Sequence, residues 1–130
     1  MSAMAFTEGN ELFVDEDYEG AVEAFSRAIS ESTEADVTNA NYYAKRAAAY
    51  LKLKQYVEAM DDAVQAIKLN PNLAAAYLRQ GLAAFHLDEY ESAKVAFEKG
   101  VTLVTSKKQK ENYETWIRKC DAEIEDDEIV

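Results

Sequence analysis

The sequence is poor in the residues that build disulfides, hairpins and long loops. Its 130 residues include one cysteine, one proline and four glycines. A single cysteine excludes an intramolecular disulfide, and so few glycines and prolines leave little room for hairpins. Neither an N-terminal signal segment nor a long apolar run is present. We therefore expect one compact helical domain in a reducing, soluble compartment, either the cytoplasm or the nucleus.

Residues that support catalysis or bind cofactors are equally scarce. The only histidine, His86, and the only cysteine, Cys120, lie in different predicted helices, whereas nucleophilic and acid–base chemistry needs groups that lie together. A metal site needs more histidine and cysteine than this, and no glycine-rich phosphate loop is present. We expect no enzyme activity, no cofactor and no metal, with Cys120 acting as a small core residue.

The charge is acidic and unevenly distributed. The net charge is −11, made up of −9 in residues 1–36, +4 in residues 37–120 and −6 in residues 121–130. Because phosphate binding needs a basic surface, we expect no unaided binding to nucleic acid. The absence of a long apolar run predicts no membrane insertion. Runs of like charge usually stay solvated, so the acidic end is expected to be a fraying helix tail and the start of a linker.

Two stretches of the chain carry the same pattern at a fixed distance. Tyr56-Val-Glu-Ala59 and Tyr90-Glu-Ser-Ala93 lie 34 residues apart, and the small residues around them recur at the same distance. A weaker first copy around Tyr18 lies 38 residues before the second, so four residues must be inserted, and we place them within 31–36. The period and the alternation of small and large residues resemble the tetratricopeptide repeat (TPR), a pair of antiparallel helices.

The last part of the chain has the pattern of one more helix. Apolar residues recur at helical spacing after Ser106, whose side chain is a suitable N-cap. A stack of helix pairs leaves an apolar end, which an additional helix can cover. We therefore predict an all-α, right-handed superhelical solenoid of six antiparallel helices with a C-terminal capping helix. The predicted domain is 1–126, with repeats at 2–35, 40–73 and 74–105, the capping helix at 106–126 and an acidic linker starting at 127–130.

The third repeat and the capping helix resemble those of the SGT-one co-chaperones, the suppressors of the G-two allele of SKP-one. The segment from Ala76 to Gly100 carries the first match, and Thr115-Trp-Ile-Arg-Lys-Cys120, followed by acidic residues, carries the more specific second one. The resemblance covers nearly the whole chain. It implies an adaptor that links the Hsp90 chaperone system to SKP-one in SCF ubiquitin ligases and in kinetochore assembly. In that family a CS domain and an SGS region follow the repeats.

Helical repeats of this kind bind partners on a concave surface lined by the first helix of each repeat. The repeat register places apolar residues on this surface, among them Phe6, Phe13, Leu51 and Leu82, together with several cations. Such a surface suits an extended or helical protein segment with apolar anchors and scattered carboxylates. The alternative is that these side chains pack between helices or lie on solvated surface. The predicted partner-contact residues are Asn10, Lys45, Lys52, Arg79, Phe85 and His86.

A dicarboxylate clamp is the rival hypothesis. TPR domains of that type grip chaperone tails ending in Glu-Glu-Val-Asp and have Lys, Asn, Asn, Lys and Arg at the positions of Phe6, Asn10, Lys45, Ala75 and Arg79. Only Asn10 and Arg79 agree. Terminal carboxylates are held by charge-assisted hydrogen bonds, so the loss of two cations predicts weak or absent binding of such a tail.

Two further hypotheses remain open. The repeats of some SGT-one proteins self-associate, so the resemblance also implies a homodimer, formed through Phe6 or Phe13 of the first repeat. A regulatory domain cut from an enzyme, such as a repeat-bearing phosphatase, is the other. The match of the capping helix favours the SGT-one co-chaperones over that enzyme class.

Overall fold

Seven α-helices make up the part of the chain described by the computed structural model, which comprises residues 1–32 and 37–129, with the side chains of 127–129 left out. Those residues contain no strand. Each helix packs against the next one along the chain, and the first helices of the second and third pairs also touch. The predicted all-α solenoid of three helix pairs and a capping helix is confirmed. The helices are α1 (Ser2–Val14), α2 (Tyr18–Glu31), α3 (Val37–Lys52), α4 (Tyr56–Leu69), α5 (Ala74–His86), α6 (Tyr90–Val101) and α7 (Lys107–Ile129).

Two helices extend beyond their predicted limits. α3 begins at Val37, three residues before the predicted start of the second repeat at residue 40. α7 continues to Ile129, so the linker predicted to start at 127–130 is helical through that residue. The acidic tail contains no glycine or proline that would end a helix, and glutamate is a good helix former. Of the insertion predicted at 31–36, residues 33–36 lie outside the described part of the chain.

The turn inside each helix pair has the same geometry in all three repeats. Glu16, Lys54 and Asp88 have φ angles of 65°, 61° and 63°, in the left-handed region that glycine ordinarily occupies at a helix C-terminus. The residue after each donates its N–H to a carbonyl five residues earlier, at 2.9 Å in every case. This shared cap shows that the weaker first copy is a full helix pair in the same register.

Small residues in the first helix of a pair allow aromatic rings of the second helix to approach the backbone. A Cβ on Gly81 would lie 2.5 Å from Cε1 of Phe97, and one on Gly9 would lie 2.5 Å from Cε1 of Phe25. Both phenylalanines are fully buried. The second repeat has alanine at both of the equivalent positions, so glycine pairs with a ring and alanine with a methyl group. The volume shared by each pair is therefore conserved.

A buried ion pair joins three helices at the centre of the chain. Arg46 on α3 donates to both carboxylate oxygens of Asp62 on α4, at 2.7 and 2.8 Å, and to Oγ of Ser26 on α2, at 3.0 Å. Its guanidinium also lies over the rings of Tyr43 and Tyr50. The hydrogen bond with Asp62 raises the pKa of Arg46. Loss of hydration raises the pKa of Asp62, because the carboxylate, with 6% of its side chain exposed against 20% for Arg46, is the more buried partner.

The capping helix completes the core at the C-terminal end. Tyr113 packs against Gly100 and donates its hydroxyl to the carbonyl of Ala74, at 2.9 Å. Cys120 is fully buried, as predicted, and burial raises the pKa of its thiol to about 11. Across the described residues, no helix is both long enough and apolar enough to span a bilayer.

Candidate partner-binding groove

The first helices of the three repeats together form a groove on one face of the molecule, here called the concave groove. Its volume is about 390 Å³. The helix pairs stack in register, so α1, α3 and α5 lie side by side and present equivalent faces. The lining residues are Phe13 from α1, Ala48, Leu51 and Lys52 from α3, and Arg79, Leu82 and His86 from α5.

The concave groove is apolar at its base and basic at its edges. Four of its seven lining residues are apolar, and none is acidic. Lys52 and His86 are exposed, whereas Arg79 is half-buried. On a chain whose net charge is −11, a groove without carboxylates is a local departure from the overall charge. Its chemistry favours a ligand that combines apolar side chains with negative charge.

Arg79 carries an unpaired polar atom inside the groove. Its Nε is buried and has no hydrogen-bond partner among the described residues, and none of the ion pairs formed by these residues includes it. Burial lowers the pKa of Arg79, and the nearby Tyr113 offsets part of this effect. An arginine stays charged at neutral pH even so. The groove therefore contains a cation that the fold does not neutralise.

His86 is held at the edge of the groove by an aromatic contact. Its ring stacks on Tyr56 at the start of α4, with the ring centroids 4.7 Å apart and the planes 11° from parallel. In the sequence Tyr56 marked only the repeat. Its position at the start of a second helix, beside the end of the next first helix, was the signal that could have placed it near the groove.

The structure brings three of the six predicted contact residues together. Lys52, Arg79 and His86 line the concave groove, whereas Lys45 is exposed on α3 and does not line it. Asn10 lies in a neighbouring depression on α1 with Thr7, Glu11, Val14 and Asp15, and its Oδ1 is buried without a hydrogen-bond partner.

Two aromatic residues that the repeat register placed on the concave surface belong to the core instead. Phe85 packs edge-on against Trp116 of α7, with ring centroids 5.3 Å apart. One residue of helix turns a side chain by about 100°, so Phe85 points towards the capping helix while His86 points into the groove. Phe6 lies 5.7 Å from the ring of Phe25 and 4.8 Å from that of Tyr42, between the first two repeats.

A larger depression on the outer side of α1 has weaker claims. It measures about 650 Å³, is open to solvent and is lined only by residues of the first repeat, including Glu8, Glu11 and Glu31. Glu8 is already paired with Arg27, at 3.0 Å. The described residues contain no group of three histidine, cysteine or acidic side chains that could hold a metal ion. The concave groove, to which three helices contribute, is therefore the candidate site.

Comparison with known proteins agrees with this geometry. Residues 40–73 and 74–103 each match the tetratricopeptide repeat family. The crystal structure of the Sgt2 TPR domain from Aspergillus fumigatus is 32% identical, with a TM-score of 0.80 over 92% of this chain and 79% of that one. The chain belongs to the tetratricopeptide repeat family.

Relatives of this TPR domain include co-chaperones. The Protein SGT1 homolog of Oryza sativa subsp. japonica is 40% identical over 112 residues, which are 86% of this chain and 29% of the rice protein. The second TPR domain of human RPAP3, solved in complex with the HSP70 peptide SGPTIEEVD, is 33% identical with a TM-score of 0.78, over 93% of this chain and 98% of that one. The predicted resemblance to SGT-type TPR domains is confirmed. The chain spans less than a third of the rice relative.

Proposed function

We propose that this TPR domain is the partner-binding module of an SGT-type co-chaperone adaptor and that a protein segment occupies its concave groove. The observation that carries the proposal is the groove itself, in which Lys52, Arg79 and His86 surround an apolar base without a single carboxylate. Each of three repeats contributes to it, which is how helical repeats build extended binding surfaces. The similarity to the rice SGT1 homolog supports the adaptor class.

The proposed partner is SKP-one, with the domain linking the Hsp90 chaperone system to SCF ubiquitin ligases and kinetochore assembly in the cytoplasm or nucleus. This part of the proposal is supported by the sequence of the capping helix, where the match to the SGT-one co-chaperones is most specific. The helix covers the end of the third repeat through Trp116 and Tyr113. It thereby stabilises the helix that carries Arg79.

Binding of purified SKP-one tests the proposal directly. Because Arg79 lies inside the groove, Arg79→Glu is expected to weaken binding roughly tenfold or more by placing an acid there. Lys45→Glu, on the exposed face of α3, is expected to cause a smaller loss, about two- to fivefold. Biolayer interferometry measures both, with circular dichroism to verify folding. Lys68→Glu, an exposed cation on α4, is the matched control. Undiminished binding by both groove variants would move the interface elsewhere, for example to the acidic first repeat.

The dicarboxylate clamp is kept as a second candidate because one observation favours it. Asn10 and Arg79, the two residues that agree with the clamp, both carry a buried polar atom without a hydrogen-bond partner. The two missing cations count against it, since Phe6 is packed in the core and Ala75 carries no charge. We expect an isolated Glu-Glu-Val-Asp peptide to bind with a Kd above roughly 100 μM. A micromolar Kd measured by calorimetry would favour the clamp instead.

Self-association is the remaining alternative for the same surface. Light scattering separates it from the adaptor, because an adaptor is expected to be a monomer whose mass does not change with concentration. Phe13 is the residue at which to test a dimer, since it lines the groove and packs edge-on against Tyr18. Phe6 is unsuitable because its ring contacts Phe25 and Tyr42 in the core. A dimer abolished by Phe13→Ser would support self-association.

A further inference from the structure

The two half-buried arginines of this domain have opposite surroundings. Arg46 meets the carboxylate of Asp62 and the hydroxyl of Ser26 through three hydrogen bonds. Arg79 has a buried Nε that meets no acceptor among the described residues. A buried donor without an acceptor destabilises the fold, and more so when the group is charged. Arg46 is thus explained by the fold, whereas the charge of Arg79 needs an acceptor from outside it.

The space beside Arg79 limits what that acceptor can be. The concave groove measures about 390 Å³, near the lower end of small-ligand pockets, which run from about 300 to 1,000 Å³. An α-helix with its side chains is about 10 Å across, so individual side chains of a partner enter this pocket rather than a whole helix. Phe13, Leu51 and Leu82 offer an apolar surface next to the guanidinium. The fitting ligand is an acidic group with an apolar neighbour.

The number of buried cations limits the ligand further. Lys52 and His86 are exposed at the edge of the groove, and the position of Ala75 supplies no charge. Gripping a terminal carboxylate and the side-chain carboxylate beside it needs several charge-assisted donors. Arg79 alone presents a buried, unsatisfied donor of this kind in the groove, as far as the described residues extend. One carboxylate matches it, and two do not.

We propose that Arg79 binds the side-chain carboxylate of an aspartate or glutamate that lies within the partner's chain and is flanked by apolar residues, not a C-terminal carboxylate. This inference rests on the proposed function, in which the concave groove is the partner site, and it adds the chemistry of the bound segment. The carboxylate accepts hydrogen bonds from Nε and a terminal nitrogen of Arg79. The neighbouring apolar side chain lies on Phe13, Leu51 and Leu82.

Three synthetic peptides test this assignment. The first is acetylated and amidated Ser-Gly-Leu-Glu-Leu-Gly-Ser, the second replaces its glutamate with glutamine, and the third, Ser-Gly-Leu-Gly-Leu, carries only a free terminal carboxylate. The Nε–Hε resonance of Arg79, followed by NMR, reports on the unpaired atom itself. The glutamate peptide is expected to shift this resonance and to bind roughly tenfold more tightly than either of the others. Equal or tighter binding of the terminal carboxylate would overturn the proposal.

Variants separate a carboxylate contact from a general effect of charge. Arg79→Gln is expected to reduce the affinity for the glutamate peptide to that for the glutamine peptide. Lys68→Gln removes the same charge from an exposed site on α4 and is expected to change the affinity by less than about twofold. An equal loss in both variants, or no shift of the Arg79 resonance with any peptide, would contradict the inference.

The results for SKP-one distinguish failure of this inference from failure of the proposed function. If the glutamate peptide does not bind at Arg79 while Arg79→Glu still weakens SKP-one binding, the carboxylate assignment is wrong and the groove remains the partner site. If the peptide binds at Arg79 while SKP-one binding is unchanged in Arg79→Glu, the groove accepts acidic segments and the SKP-one proposal is wrong.

Discussion

Replacing Phe97 with alanine is expected to lower the free energy of unfolding by about 3–5 kcal/mol, the range for removal of a buried phenylalanine ring. Phe97 is fully buried on α6, lies against the backbone of Gly81 and stacks on Trp116 with ring centroids 5.8 Å apart. Its removal opens a cavity among α5, α6 and α7 that glycine cannot fill. Since whole domains are stable by about 5–15 kcal/mol, urea denaturation followed by circular dichroism will detect the loss easily.

Two further variants test the cause of that loss. Val95→Ala shortens a side chain of the same helix that is 65% exposed, and it is expected to change stability by no more than about 0.5 kcal/mol. Adding Gly81→Ala to Phe97→Ala recreates the alanine pair of the second repeat, with Ala47 and Ala63 as its natural counterparts. This double variant is expected to recover about 1 kcal/mol, because alanine favours the helix over glycine. A loss below about 1 kcal/mol for Phe97→Ala would contradict the tight packing described here.

The repeat period is the reason that most of the fold could be predicted from the sequence. A distance of 34 residues between Tyr56 and Tyr90 predicts two helix pairs in the same register. The left-handed residues Glu16 and Lys54, at equivalent turns, show that the first copy obeys that register despite the longer spacing. The end of α7 was less predictable, because no glycine or proline in the acidic tail marks where the helix stops.

The groove was only partly predictable, for a geometric reason. The repeat register identifies which helices face the concave side, and it placed Lys52, Arg79 and His86 correctly in the groove. It does not show how far a neighbouring helix covers an edge of that side. Phe85 is covered by Trp116 of the capping helix, and the unpaired Nε of Arg79 emerges only once the neighbours of every side chain are known.

Replacing Asp62 with alanine is expected to lower the free energy of unfolding by about 3–5 kcal/mol, because it leaves a buried charge without its partner. The carboxylate accepts two hydrogen bonds from Arg46, at 2.7 and 2.8 Å. After the substitution the guanidinium keeps only Ser26 and the faces of two tyrosines, Tyr43 and Tyr50. Urea denaturation at pH 7 measures the change.

An exposed ion pair and a double variant show whether the unpaired charge is responsible. Lys94 and Asp121 are 2.7 Å apart with both side chains partly exposed, so Asp121→Ala is expected to cost less than about 1 kcal/mol. Arg46→Met combined with Asp62→Leu removes both charges and keeps apolar volume, and most of the lost stability is expected to return. If the double variant were as unstable as Asp62→Ala alone, shape at the junction of α2, α3 and α4 would be the cause, and the argument from charge would be wrong.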